Sequence, residues 1–346
     1  MSCHNPYVAR ISPEGKVLFN RPSGISGGKE QAILIRCGKC ENCRMHDAAQ
    51  WTTRCYLESQ KYDSNLFITL TYGPNHIPKD GQLDRNAVPS LMKRLRKFAY
   101  EYKWNPEIRR YVKRPLKEIR GANARPLSGN ELLKYFHCGE YGSKRLRPHY
   151  HICLFNFDFM DKVPYVWKNG YFRYKSPTLE YLWTDREHKL YYPKIKDPVE
   201  DNRKGICDIG DMNQFTIAYT ARYILKKKNM DKRIKMRGLV PEFTSMSKGI
   251  GEDHFYKYYK NFYHLGYIRI EGRKYPIPRY YDKKLAKTDP ILYKLVKEER
   301  RNQIPVLSWD ELMYDWKSKS IVIKQTVAKY VRSYEQEELN DDSNDE

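Results

Sequence analysis

The sequence has no long hydrophobic run. None of its 346 residues lies in a segment that approaches the roughly 18 consecutive apolar residues of a membrane-spanning helix. The N-terminus also lacks the apolar region of a secretory signal peptide. These two absences argue against membrane and secreted proteins, so we expect a cytoplasmic protein with no membrane partner.

A nucleotide-binding P-loop is also missing. Residues 24–30 are rich in glycine and contain a lysine, but they lack the spacing and the final Ser or Thr of that motif. The motif uses backbone N–H groups and a lysine to hold nucleotide phosphates. The sequence therefore does not predict a helicase or another nucleotide-driven motor.

Acidic residues are scarce relative to basic ones. The chain has 42 Asp and Glu against 64 Lys and Arg, which gives a formal net charge of +22. Seven of the acidic residues lie in residues 335–346, which contain no basic residue and are predicted to form a disordered tail. The remaining chain is strongly basic, so we expect a polyanionic partner, with nucleic acid as the leading candidate.

The cysteines suggest a metal site. Three of the eight form two overlapping C-x-x-C units, at Cys37, Cys40 and Cys43. This spacing lets one short loop wrap a tetrahedral Zn²⁺ ion. We predict a structural zinc in residues 1–60, with Cys3 as the fourth ligand.

Other interpretations of this motif stay open. Cys55, His4 and His46 are alternative candidates for the fourth ligand. A redox motif and an iron–sulfur cluster are the rival kinds of site, although neither has its usual surrounding pattern here.

The centre of the chain reads as strands and one amphipathic helix. Residues 66–72 are β-branched and aromatic, which predicts a buried strand. Apolar residues at helical spacing predict a helix over residues 87–103. Residues 132–141 and 149–156 are predicted to pair as a β-hairpin through the basic turn at residues 142–148.

This hairpin carries a candidate metal-binding group. His149 and His151 are two residues apart, so on a strand their side chains point to the same face. Glu140 lies near the end of the opposing strand and is a third candidate ligand, whereas His137 has the wrong strand parity. Two imidazoles and a carboxylate suit Mn²⁺ or Mg²⁺, and Zn²⁺ also fits this ligand set.

A second helix is predicted to begin near Asp211, because Asp211 and Gln214 have the spacing of a capping box. Tyr219 and Tyr223 are separated by four residues and therefore lie on one face of this helix, which Lys226 continues. Taken alone, the tyrosine pair also fits two amphipathic side chains that cover the edge of a core.

The order of these motifs resembles the HUH endonucleases. The strand FITLTY is followed by HYH and then by YTARYILKK, as in the replication initiators of microviruses and especially their gokushovirus branch. MSCHNPY, CGKCENCR, SMSKGIG and IPRYYDKKL resemble the same branch. The resemblance covers roughly residues 1–285, with Arg222 where many relatives have Lys.

This resemblance implies an α+β fold. A central antiparallel sheet of about five strands, the ferredoxin- or RRM-like palm of HUH endonucleases, is expected to have flanking helices and an N-terminal Cys-rich zinc segment. The endonuclease domain would span residues 61–285, with an insertion or long loop near 160–207. Residues 286–334 would form an extension of unknown role, before the acidic tail.

The resemblance also implies a function, that of a rolling-circle replication initiator which nicks and rejoins DNA through a 5′-phosphotyrosine intermediate. Tyr219 and Tyr223 would be the nucleophiles, and Lys226 and Arg222 would stabilise negative charge. The catalytic Mg²⁺ or Mn²⁺ would be held by His149, His151 and Glu140.

The expected substrate is single-stranded and supercoiled viral origin DNA in the cytoplasm of a bacterial host, where a host helicase and a host replication polymerase would assist. Residues 165–203 and 255–281 are candidate base-stacking segments. Four basic residues are predicted to contact the DNA backbone: Lys144, Arg145, Arg147 and Lys227.

Two alternatives remain at this point. The same chemistry would serve a transposase or relaxase acting on another DNA. A zinc-containing nucleic-acid-binding protein without catalytic activity would use the histidine pair structurally.

Overall fold

A computed structural model describes residues 3–12, 16–19, 31–115, 133–142, 145–168, 171–184, 204–226, 232–304, 307, 310–322 and 324–325. Lys144, Lys227, the acidic tail and residues 185–203 of the predicted insertion lie outside the described residues. The chain divides into two compact units, one formed by Met1–Trp51 and Phe255–Glu346 and the other by Thr52–His254.

The strands of the described chain are, in order, β1 (Tyr7–Ile11), β2 (Val17–Leu18), β3 (Gln31–Ile35), β4 (Asn65–Leu70), β5 (Tyr102–Asn105), β6 (Arg110–Lys113), β7 (Lys134–Tyr141), β8 (Pro148–Phe155), β9 (Val163–Lys168), β10 (Tyr171–Lys175), β11 (Cys207–Asp211), β12 (Phe243–Met246), β13 (Ile268–Ile270) and β14 (Arg273–Tyr275). The helices are α1 (Glu41–Ser59), α2 (Ala87–Glu101), α3 (Pro177–Leu182), α4 (Gln214–Lys226), α5 (Lys232–Met236), α6 (Glu252–Leu265), α7 (Arg279–Thr288), α8 (Pro290–Asn302) and α9 (residues 310–322). None of the described helices is long and apolar enough to cross a membrane.

The unit of Thr52–His254 is built on an antiparallel sheet. Seven described strands form it in the order β12-β7-β8-β4-β11-β10-β9. The predicted α+β class and its antiparallel sheet are confirmed, although the sheet has seven strands where about five were expected. The predicted strands near residues 66–72, 132–141 and 149–156 correspond to β4, β7 and β8, which lie side by side at its centre.

One face of this sheet holds the main hydrophobic core. Side chains alternate between faces along a strand, so Ile68 and Ile152 share a face and pair directly across β4 and β8. Both are buried in one cluster with Leu91 and Leu95 of α2. The helix α2 ends at Glu101, two residues earlier than predicted, because Tyr102 adopts extended backbone angles and begins β5.

The opposite face carries α4, which packs against β7, β8 and β12. The predicted start of this helix at Asp211 is wrong, because Asp211 still pairs with Leu66 as the last residue of β11. The N-terminus is instead capped by Asn213 and Thr216. The Asn213 side chain accepts the Thr216 N–H at 2.9 Å, and the Thr216 hydroxyl oxygen accepts the Asn213 N–H at 2.9 Å.

The segment after β8 is not an irregular loop throughout, as the sequence predicts. It forms the antiparallel hairpin of β9 and β10 at the edge of the sheet, followed by the short helix α3. The pairing of β9 with β10 shifts register at Arg173 and Tyr174, which is the signature of a β-bulge. The bulge interrupts the period-two pattern by which a strand is recognised in a sequence.

The unit of Met1–Trp51 and Phe255–Glu346 contains a three-stranded antiparallel sheet in the order β2-β1-β3. The predicted helix at 45–59 starts four residues earlier, at Glu41, directly after the cysteine motif. The helix α9 shows that part of the segment around 310–333, whose structure the sequence leaves open, is helical. Its Trp316 indole N–H donates to the backbone oxygen of Cys3 at 2.7 Å.

Candidate metal centre and nucleophile site

The β7–β8 register brings three predicted metal ligands together. Glu140 pairs directly with His149, and Cys138 pairs with His151. Residues directly opposite each other in an antiparallel pair share a face. Glu140, His149 and His151 therefore lie on one face of the sheet, with their ligand atoms within 4.8 Å of one another.

A single carboxylate oxygen lies between the two imidazoles. Glu140 Oε1 is 2.5 Å from His149 Nε2 and 2.7 Å from His151 Nε2. The Glu140 side chain is only 2% exposed, and His149 retains the largest exposure of the three at 19%. The group therefore faces solvent mainly through His149.

The outer ring nitrogens have their own partners. His149 Nδ1 lies 3.2 Å from the backbone oxygen of Arg147, and His151 Nδ1 lies 3.0 Å from the Thr69 hydroxyl. A carbonyl oxygen can only accept, so His149 must donate from Nδ1, and in its neutral form its Nε2 lone pair points at Glu140. An imidazole lone pair and a carboxylate oxygen at this distance require a proton or a cation between them, so the donor set fits a metal ion.

The electrostatics of Glu140 support the same conclusion. Burial alone would raise the pKa of the Glu140 carboxyl, but the two adjacent imidazoles outweigh burial and hold that pKa well below its usual range. The carboxylate is therefore ionised. A buried carboxylate is costly unless positive charge compensates it, and a divalent cation held by the three side chains would do so.

Tyr219 lies beside this group. Its ring meets the His151 ring edge to face, with centroids 5.1 Å apart, and makes a similar contact with Phe67 at 6.2 Å. The adjacent Thr220 fixes the helix on the sheet, because its hydroxyl donates to the Thr216 backbone oxygen and accepts a contact from the Cys153 thiol at 3.5 Å.

The other predicted residues of this site are placed in less detail. Tyr223 and Lys226 lie in the last turns of α4, one and two turns beyond Tyr219, while their side chains are outside the described part of the chain. Arg222 is half-buried on the same helix. In the turn before β8, Arg145 is exposed and Arg147 is half-buried.

Four cysteines form the second metal-binding group, namely Cys3, Cys37, Cys40 and Cys43. Three Sγ–Sγ distances are 3.7 Å for Cys3–Cys40, 3.6 Å for Cys3–Cys43 and 4.0 Å for Cys37–Cys43. A tetrahedral zinc with Zn–S bonds of about 2.3 Å requires sulfur atoms about 3.8 Å apart. The group is therefore shaped for zinc, and the cysteines are not bonded as disulfides.

Backbone N–H groups prepare this cluster for a metal. Burial tends to raise the pKa of the Cys37 thiol, but the N–H groups of Lys39 and Cys40, at 3.3 and 3.2 Å from its Sγ, lower that pKa to about 6. A thiolate is the form that binds metal. Cys55 is buried further along α1 and is not in this group. His46 is not in it either, since its Nδ1 contacts Arg36 at 2.8 Å.

Sequence reasoning missed Thr69 and Trp316. Thr69 reaches His151 only because β4 pairs with β8, and Trp316 reaches Cys3 across more than 300 residues of sequence. Strand parity is the one signal that was available for Thr69, because it separates Thr69 from the core-facing residues Ile68 and Leu70.

Replacing Thr69 by Val tests its role in orienting His151. Val keeps the shape of Thr but cannot hold the His151 Nδ1, so affinity for Mn²⁺ should fall by about tenfold. Isothermal titration with Mn²⁺ measures this change. Thr71→Val is the matched control, because the Thr71 hydroxyl donates to the Ile206 backbone oxygen rather than to a histidine. Equal affinities for the two variants would show that Thr69 does not support the site.

Comparison with known proteins agrees with this geometry. A sequence profile of the replication-associated protein ORF2 family matches residues 65–228, which contain both the Glu–His–His group and α4. The replication-associated protein ORF2 of Spiroplasma virus 4 is 29% identical over 77% of this chain and 72% of its own. The corresponding values are 30%, 84% and 79% for the replication-associated protein VP4 of Bdellovibrio phage phiMH2K.

A third relative, the replication-associated protein ORF4 of Chlamydia phage 1, is 24% identical over 78% of this chain and 56% of its own. The chain belongs to the replication-associated protein ORF2 family, and the predicted kinship with phage replication proteins is confirmed. No solved structure matches it significantly.

Proposed function

We propose that the protein is a nicking and joining enzyme that initiates rolling-circle replication of a phage genome. The single observation that carries this proposal is the edge contact of Tyr219 with His151, within a buried group of two histidines and a carboxylate. A phenol beside a metal-binding group is the arrangement needed for attack on a phosphodiester. The kinship with three phage proteins named for replication favours this role over that of a transposase or relaxase.

The reaction exchanges one phosphate ester for another. The oxygen of a tyrosine forms a bond to the scissile phosphorus, and the bond from phosphorus to the 3′ oxygen breaks. The proton lost by the phenol is balanced by the proton gained by the leaving 3′-OH. The products are a 5′-phosphotyrosine link and a free 3′-OH, which a host polymerase can extend.

The side chains of the site have distinct tasks. His149, His151 and Glu140 would hold Mg²⁺ or Mn²⁺, which when bound polarises and orients the scissile phosphate. Tyr219 supplies the first candidate nucleophile and Tyr223, four residues further along α4, the second. Arg222 and Lys226 would stabilise the negative charge that develops at phosphorus.

Two tyrosines on one helix allow two successive cleavages. One phenol keeps the 5′ end of the displaced strand while the other cuts the newly completed origin. The free 3′-OH then attacks the first phosphotyrosine and closes the circle, so the energy of the original bond is conserved.

The four-cysteine group would hold a structural Zn²⁺. It lies in the other compact unit, with Cys3, Cys40 and Cys43 all buried, so it has no open position for a substrate. Its expected task is to fix the N-terminal segment to the start of α1. The substrate would be single-stranded or supercoiled viral origin DNA in the host cytoplasm, where a host helicase would open the duplex.

Removal of both phenols tests the nucleophiles. The protein is incubated with Mn²⁺ and single-stranded DNA from the origin of its own viral genome, and products are separated in SDS. We expect a covalent protein–DNA adduct that is lost when Tyr219→Phe and Tyr223→Phe are combined, because Phe has no hydroxyl. The adjacent pair Tyr258→Phe and Tyr259→Phe is the matched control and should retain the adduct. An adduct that survives in the first variant would exclude these two residues as the nucleophiles.

A further inference from the structure

The β9–β10 hairpin presents a basic and aromatic surface on the same face of the sheet as the metal-binding group. Tyr174 pairs with Ile209, which pairs with Ile68 on the core face. Its neighbours Arg173 and Lys175 therefore point to the opposite face, where Asp208 pairs with Thr69 and Thr69 pairs with His151. This row runs without interruption from the metal-binding group to the hairpin.

The bulge in the hairpin adds an aromatic ring to this face. Regular pairing passes from Val166 opposite Arg173 to Pro164 opposite Tyr174, so Tyr165 is the extra residue. A bulge changes the direction of the side chain it carries. The Tyr165 hydroxyl donates to Asp208, which places the phenol on the metal-binding face.

The three side chains are held in place while remaining accessible. Arg173 Nη1 contacts the other oxygen of Asp208 at 3.4 Å, and Lys175 Nζ lies 4.5 Å from the centroid of the Tyr165 ring. Tyr165 is 39% exposed and the Arg173 side chain 37%. A guanidinium has five N–H donors, so its contact with Asp208 leaves capacity for another anion.

The location fits a strand of DNA that leads to the site. Arg173 is three strands from His151, or about 14 Å at the usual strand spacing of about 4.8 Å. The main packing contacts of α4 are with β7, β8 and β12, on the other side of the metal-binding group from the hairpin. Alternating positive charge and an aromatic ring along a groove is how proteins bind single-stranded nucleic acid without reading its sequence.

We propose that Tyr165, Arg173 and Lys175, braced by Asp208, form a track that guides single-stranded DNA to the Glu140–His149–His151 group. This inference rests on the proposed function, since it names the path of the substrate into that site. Arg173 and Lys175 contact the phosphates of the strand, and one base stacks on Tyr165.

Equilibrium binding tests the track separately from catalysis. The full chain carries Tyr219→Phe and Tyr223→Phe so that the DNA stays intact, and fluorescence anisotropy follows a labelled thymidine strand of about 16 nucleotides. Adding Arg173→Ala with Lys175→Ala should raise Kd by about tenfold. It should also make the slope of log affinity against log salt shallower by about 1.4, because two phosphate contacts are lost.

The matched control removes the same charge elsewhere in the same unit. Arg110→Ala with Lys113→Ala changes two exposed residues of β6, a strand whose Tyr111 ring packs on Phe98 of α2 on the core side of the sheet. Tyr165→Leu should weaken binding about tenfold through lost stacking, whereas Tyr165→Phe should retain most of the affinity.

The outcomes separate the two proposals. Loss of affinity in the hairpin variants alone supports the track. An equal loss in the Arg110 and Lys113 control shows only general charge attraction and overturns the track. Unchanged binding in the hairpin variants also overturns it, while an adduct formed by the unmodified protein leaves the proposed function standing. A chain that binds no single-stranded DNA overturns the proposed function itself.

Discussion

Replacing Glu140 by Gln is expected to lower the rate of DNA nicking about a thousand-fold, a loss equivalent to several kcal/mol of charge stabilisation. Gln has nearly the same shape, but it removes the only negative charge in the Glu–His–His group. Its neutral amide oxygen would leave two histidine Nε2 atoms to bind the metal. The affinity for Mn²⁺, measured by titration, should fall with the nicking rate.

A second buried carboxylate provides the control for this variant. Glu242 is 7% exposed and accepts the backbone N–H of Tyr141 at 3.1 Å. Gln at position 242 keeps a carbonyl oxygen for that hydrogen bond, so Glu242→Gln should nick DNA at close to the unmodified rate. Glu140→Gln with unchanged metal affinity and unchanged nicking would show that Glu140 is not a ligand.

Replacing Cys37 by Ser is expected to abolish the bound zinc and to lower the Tm by at least about 10 °C. Structural zinc contributes several kcal/mol to folding, and 1 kcal/mol shifts Tm by roughly 2–4 °C in a domain of 150–250 residues. Elemental analysis of the purified protein should find one tightly held Zn²⁺ in the unmodified chain and none in the variant. Scanning calorimetry measures the change in Tm.

Cys207→Ala is the control for the zinc prediction. Cys207 is fully buried, but it lies in β11 of the other unit and is not in the four-cysteine group. This change should reduce stability only through a small cavity and should leave the zinc content intact. Zinc lost equally from both variants would point to a general effect on folding, and zinc retained by Cys37→Ser would exclude Cys37 as a ligand.

Local patterns predicted much of both metal-binding groups. The spacing of His149 and His151 is sufficient to place them on one face of a strand, and the short hairpin brings Glu140 opposite His149. The overlapping C-x-x-C units likewise predict a compact cluster, because three ligands come from seven consecutive residues. In each case the ligands are close in sequence, so strand geometry or loop closure decides the contact.

Features that depend on distant pairing could not be predicted in this way. Nothing within β4 indicates that it pairs with β8, which is what brings Thr69 to His151. The capping pattern at Asp211 was outweighed by ladder hydrogen bonds of β11, and Asn213 took over as the cap. The bulge at Tyr165 hid the β9–β10 hairpin, because it breaks the alternation that identifies a strand.

The identity of the tyrosine that carries DNA is the most direct test of the account. Arg222 lies between Tyr219 and Tyr223, so trypsin separates them into one peptide ending at Arg222 and another spanning residues 223–226. After reaction with origin DNA and nuclease digestion, mass spectrometry should find a nucleotide joined through its 5′ phosphate to one of these two peptides. A nucleotide joined to any other peptide, or a nicked product with no covalently modified tyrosine, would contradict the account.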